Sequence, residues 1–139
     1  MEFSHLENWI DQINSGNLEQ VLGLYSQDAL LFATFDEKPL NSPALIRGYF
    51  DSFLARDGAG VELDSASVCH SELGENHYSS TGLYTFFFNE GDQHVRQKAR
   101  FTFIFNRQKT GSIIHHHSSV IPAWKYNTYR KSYNFIMLE

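Results

Sequence analysis

The sequence predicts an α+β domain, with helices packed on one face of a curved, mostly antiparallel sheet. Three observations carry that expectation. Apolar residues recur at helical spacing through most of the first 54 residues, and from Gly60 onward the pattern changes to alternating, aromatic-rich segments. Short polar turns separate those segments. With 139 residues, 42% of them hydrophobic and 12 of them Phe, the chain is about one domain long and can bury a core without disulfide or metal staples.

The elements follow in order. Leu6, Trp9, Ile10 and Ile13 give residues 4–15 one apolar stripe, with Ser4 and Glu7 in the pattern of a capping box and Ser15-Gly16 as the stop. A second short helix is expected from Asn17, with Leu18, Val21, Leu22 and Tyr25 on one face. "ALLFATF", Ala29 to Phe35, reads as a buried strand. In "NSPALIRGYFDSFLAR", Ser42 is a cap and Pro43 suits the first helical position, ahead of a stripe of Leu45, Ile46, Tyr49, Phe50, Phe53 and Leu54. Strands are then expected at roughly 60–70, 77–88, 94–107 and 111–120, joined by "LGEN", "NEGDQ" and "RQKTG" into an antiparallel meander. Residues 1–122 make a single domain on this reading, and 123–139, "AWKYNTYRKSYNFIMLE", a C-terminal arm without a clear period.

A formal net charge of −5 argues against electrostatically driven binding to nucleic acid or anionic membranes, and leaves a small neutral or anionic ligand as the expected partner. The single cysteine, Cys69, has no partner for an internal disulfide or a cysteine zinc site, which fits a reducing, cytoplasmic setting. The opening "MEFSHLENWIDQ" has neither the basic start nor the apolar run of a secretory signal or a membrane span.

The stretch "SIIHHHSSVIP" carries the chemistry. Strict strand alternation puts Gly111, Ile113, His115, His117 and Ser119 on one side and Ser112, Ile114, His116 and Ser118 on the other. Three adjacent histidines cannot all face one ion. His115 and His117 can, as a zinc pair that still needs a third ligand such as His70, His77, His94 or an acid. An acid–base site needs less, a neutral imidazole and hydroxyls that orient a water, and His117 with Ser119 supplies both. The plain alternative is a set of polar residues that bond to neighbours or line an interface. Five polar residues on one central strand argue that something polar lies against at least one face.

In "ARFTFIF" the phenylalanines Phe101, Phe103 and Phe105 share one face, and Arg100, Thr102 and Ile104 the other. Arg100 is either aimed at a carboxylate or bicarbonate in a cavity, or held in an edge salt bridge. Thr34 in "LFATF" and Tyr49 in the third helix are similarly open to a pocket role or a packing role. There is no Gly-rich phosphate loop, His-Glu-x-x-His helix or Gly-x-Ser-x-Gly elbow, so nucleotide-dependent enzymes and the common hydrolases drop out.

The helix order, the meander and the pair "ARFTFIFNRQ" and "HHHSSVIP" resemble the cone-shaped nuclear transport factor 2-like superfamily over about residues 4–122. That superfamily includes ketosteroid isomerases, polyketide cyclases and the association domain of calcium/calmodulin-dependent protein kinase II. Within it, "ARFTFIF" followed by "HHHSS" and Pro most resembles the iota-class carbonic anhydrases. The resemblance implies a pocket between the helices and the concave sheet face, and hydration of carbon dioxide to bicarbonate with no cofactor. The family's pocket Thr falls on Thr34, its helix Tyr on Tyr49, and its His and Ser on His117 and Ser119. Arg100, Thr102 and His115 are the accompanying candidates for substrate binding, with zinc on His115 and His117 as the alternative. The sequence departs from its relatives at Gly111, where a Trp is usual. A homo-oligomer, most simply a dimer through the outer sheet face, is expected. The alternatives are a non-catalytic small-molecule-binding or oligomerisation module like the kinase association domain, and an isomerase or cyclase, for which no Asp base stands in the strands.

Overall fold

A computed structural model of the chain describes residues 2–122. The order is α1 (His5–Ser15), α2 (Leu18–Gly23), β1 (Tyr25–Phe32), α3 (Pro43–Leu54), β2 (Asp57–Glu72), β3 (His77–Glu90), β4 (Gln93–Asn106) and β5 (Ile113–Val120). The strands form one sheet in the order β1-β5-β4-β3-β2, antiparallel throughout except that β1 runs parallel to β5. The expected α+β architecture and the meander are therefore present. The expected arm at 123–139 lies outside the described residues.

Local chemistry explains most boundaries. Ser42 Oγ accepts a hydrogen bond from Leu45 N–H at 3.2 Å ahead of Pro43, and Asn17 Oδ1 accepts from Gln20 N–H at 3.1 Å, so α3 and α2 are both capped. Gly16 ends α1 in the left-handed region at φ 72°, which only glycine adopts without cost. The capping box expected at Ser4 does not form. Ser4 Oγ donates instead to the Glu2 carboxylate at 2.8 Å.

Trp9, Leu6 and Ile13 of α1 and Ile46, Phe50 and Phe53 of α3 are buried against the concave face, which presents Tyr78, Tyr84, Phe86 and Phe88 from β3 and Phe101, Phe103 and Phe105 from β4. Trp9 is completely buried, touching the rings of Tyr84, Phe86, Phe103 and His116. Its truncation would cost about 3–5 kcal/mol in lost burial and cavity formation.

Two departures from the expected pattern set up the site. Tyr25 does not ride on α2; it opens β1, four residues before the expected strand start at Ala29. In β5 a bulge breaks the alternation. Ile104 pairs with His115 but Phe105 pairs with Ile113, leaving Ile114 as an extra residue. Ile113 therefore shares the inner face with His116 and Ser118, and not, as strict alternation expects, the face of His115 and His117. Gly111 also has a physical reason. A Cβ there would lie 2.6 Å from the carbonyl oxygen of Tyr25, so no side chain fits where the turn before β5 crosses the start of β1.

Candidate functional site

Inside the cone, His116 is 2% exposed and is held on three sides. Its Nδ1 is 2.8 Å from the hydroxyl of Tyr25, its Nε2 is 3.0 Å from the hydroxyl of Tyr84, and its ring lies on Phe103 with centroids 3.8 Å apart. Trp9 Nε1–H donates to Tyr25 Oη at 3.1 Å, which leaves the Tyr25 proton to donate to Nδ1. His116 then keeps its own proton on Nε2 and donates it to Tyr84. Ser118 and Thr34, whose hydroxyls are hydrogen-bonded to each other, lie beside Tyr84. The result is one chain of hydrogen bonds, Trp9 to Tyr25 to His116 to Tyr84. Every buried side-chain nitrogen and oxygen among the described residues has a partner.

The chain ends at a small cavity lined by Thr34, Tyr49, Tyr84, His116 and Ser118 on its polar side and by Leu31, Ala33, Phe50 and Phe86 on its apolar side. About 10 Å³ is open to the centre of a water molecule, room for one water. Burial governs the titration of every group around it. It pushes the Tyr84 and Tyr25 hydroxyls far above the usual tyrosine range and the Tyr49 hydroxyl to about 12, and it holds the His116 imidazole well below the usual histidine value, with the neighbouring His115 and His117 acting in the same direction. His116 is thus neutral at physiological pH.

The candidate residues of the sequence divide between two faces. Thr34, just beyond the end of β1, and Tyr49, on the inner side of α3, line the cavity. His117 and Ser119 do not. They pair with Thr102 and Arg100 of β4 and share the outer face with them and with His115. Arg100 Nε donates to Ser119 Oγ at 3.2 Å, and His117 stacks on Phe32 with centroids 5.2 Å apart. The inward pair is His116 and Ser118, cross-strand from Phe103 and Phe101. Arg100, Thr102 and His115 likewise have no access to the cavity. Of the histidines considered as a third zinc ligand, His70 bonds to Ser80 and His94 to Asn89, and among the described residues no cluster of three His, Cys, Asp or Glu is placed to hold a metal. Sequence reading missed Tyr84, Tyr25 and Trp9. Alternation along β3 was the available signal for Tyr84, since it falls on the same face as Tyr78, Phe86 and Phe88.

A groove of about 370 Å³ lies between α3 and the chain after β1, lined by Phe35, Asp36, Leu45, Tyr49, Ser52 and Arg56 among others. Tyr49 is the one residue that lines both spaces.

Residues 3–122 match the family of the calcium/calmodulin dependent protein kinase II association domain. The chain belongs to that family. Among solved structures, this association domain is similar to a Xanthomonas campestris protein named for the same domain, at 25% identity and a TM-score of 0.77, over 87% of this chain and 86% of that one. A Streptomyces avermitilis protein of the nuclear transport factor 2-like family, named as a dehydratase, superposes with a TM-score of 0.73 at 16% identity over 86% of this chain and 92% of its own. An epoxide hydrolase/cyclase-like enzyme of pyran ring formation in salinomycin does so with a TM-score of 0.66 at 12% identity, over 90% and 91%. The fold is thus the expected nuclear transport factor 2-like one, a fold that carries diverse enzymes. No curated protein sequence matches the chain. No helix among the described residues is long and apolar enough to cross a membrane.

Proposed function

We propose that this association domain hydrates carbon dioxide reversibly to bicarbonate, as the iota-class resemblance implies, with Thr34, Tyr49, His116 and Ser118 as its site. One observation carries the reading. Four polar side chains from β1's end, α3 and β5 converge on a cavity the size of one water, where an isomerase or cyclase acting on a larger substrate would need a wide apolar chamber.

The residues divide the work. Thr34, Ser118 and Tyr49 hold the attacking water, and carbon dioxide approaches from the groove side at Tyr49. The Ser118 and Thr34 hydroxyls, bonded to each other beside Tyr84, place donors at the oxygen that becomes negative in bicarbonate. His116 is a positioning residue on this reading. Burial keeps it neutral, so it orients Tyr84 and does not store the proton that the reaction releases.

The test is stopped-flow carbon dioxide hydration by chelator-treated protein of assayed metal content, before and after zinc addition. Wild-type activity without zinc, lost in Ser118→Ala and Thr34→Val but kept in Ser119→Ala, supports the assignment. Activity that follows Ser119, or that appears only with zinc and depends on His115 and His117, overturns it.

A second reading has its own observation, the family match. An association domain functions by assembling. The outer face of Phe32, Arg100, Thr102, His115 and His117 is the surface available for pairing with a second copy. No carbon dioxide hydration in any state, with a stable oligomer in solution, would favour this reading.

A further inference from the structure

Hydration of carbon dioxide releases one proton per turnover, and the buried network offers that proton no resting place. His116 is neutral by burial, and Tyr25 and Tyr84 are acids and bases of the weakest kind for the same reason. The proton has to leave toward solvent through a group that touches both the cavity and the outside. Tyr49 alone among the described residues lines both the cavity and the groove. Phe35 and two charged groups, Asp36 and Arg56, line the same groove as Tyr49.

Those two groups are not equivalent. Arg56 is committed elsewhere, with its guanidinium 4.3 Å over the ring of Phe88 and 3.7 Å from the Glu90 carboxylate, and it cannot accept a proton in any case. Asp36 is the one carboxylate lining the groove. The turn after β1 holds it in place, with Asp36 N–H donating to the Ala33 carbonyl at 3.3 Å and Oδ1 accepting from Lys38 N–H at 3.1 Å. Oδ2 makes no hydrogen bond among the described residues and remains available to water in the groove.

We infer that Asp36 is the proton-exit residue of this site, exchanging with bulk solvent the proton that Tyr49 relays from the cavity. The step balances without a co-reactant. The water oxygen bonds to the carbon of carbon dioxide as one of its O–H bonds breaks. That proton goes to Tyr49 Oη while Tyr49 passes its own to Asp36, directly or through a groove water, and Asp36 returns to the carboxylate by losing it to buffer. The inference rests on the hydration reading.

The experiment is stopped-flow carbon dioxide hydration by wild type and Asp36→Asn, in dilute and in concentrated imidazole buffer. Asn keeps an oxygen for Lys38 N–H, and circular dichroism establishes that the variant is folded. A proton-exit role predicts that kcat falls about tenfold in dilute buffer with kcat/KM unchanged, and that concentrated buffer restores kcat, because the buffer then takes the proton itself. Asp36→Glu, which keeps the carboxylate, should retain most of the dilute-buffer rate. Equal kcat for wild type and Asp36→Asn in dilute buffer, or a loss of kcat/KM that buffer does not repair, overturns the role of Asp36 while leaving the hydration reading intact. An inactive wild type overturns the hydration reading, and Asp36's role with it.

Discussion

The imidazole of His116 lies nearly flat on the ring of Phe103, with 3.8 Å between centroids and 18° between planes. Phe103 sits directly across the β4–β5 pair from it, so the sheet register itself supplies the stacking partner. With Tyr hydroxyls at both ring nitrogens, the imidazole can neither flip nor tilt without losing a hydrogen bond.

Removing one of those partners should therefore be expensive. Tyr84→Phe keeps the packing but leaves Nε2 of a buried imidazole without an acceptor, which costs about 1–3 kcal/mol. Urea denaturation measures this as a lower midpoint at constant slope. If hydration is the function, the same variant also loses rate, because a hydroxyl that lines the cavity is removed.

Stability should fall as the medium becomes acidic. The folded state holds His116, His5 and His115 below their ordinary value, His116 most of all, mainly by burial in each case. Between the folded and unfolded pKa values the unfolded chain binds more protons, so the stability these groups contribute is complete above about pH 6.5 and is lost progressively as pH falls toward the folded values. Urea midpoints measured from pH 8 down to pH 5 should decline through the lower half of that range. In NMR spectra the His116 ring should still show its neutral form where an unburied histidine is protonated.

Gly111→Ala should destabilise the fold by about 1–3 kcal/mol, since the new methyl group would press on the Tyr25 carbonyl and one of two backbones would have to move. Thermal unfolding against Gly23→Ala, where a Cβ meets nothing within 4 Å, separates this clash from a general glycine effect.

The outer face offers a test of assembly. Sedimentation of the wild-type protein should show a homo-oligomer, as membership of an association domain family leads us to expect, and Thr102→Arg, which adds a charge beside His117 and Arg100, should weaken it without lowering thermal stability of the monomer.

Local signals were legible and register was not. Ser42 with Pro43, Asn17 and Gly16 mark helix ends through contacts within a few residues, so their sequence context suffices. Thr34 and Tyr49 were within reach for a related reason, as each interrupts an apolar run that faces the core. The start of β1 depends instead on partners far along the chain, Tyr25 being drawn into the cone by Trp9 and His116, residues 16 and 91 positions away. The face of the histidines depends on the same kind of information. Nothing in "GSIIHHHSS" announces that Ile114 is bulged, and resemblance anchored on the string alone settles on His117 and Ser119, one residue beyond the inward pair.

The bulge and the repetition in the string together have a consequence for folding fidelity. Sliding β5 by one residue would bring His117 and Ser119 inward in place of His116 and Ser118, an exchange of the same two side-chain types. The polar residues are therefore blind to the error, and a misaligned strand would look chemically native from inside the cone. Discrimination falls to the other face, because the same slide seats Ile114 in place of Ile113 opposite Phe105 but puts Ser118 where His117 stacks on Phe32. The stack of His117 on Phe32, on the face away from the cavity, thus acts as the proofreader of the strand's register.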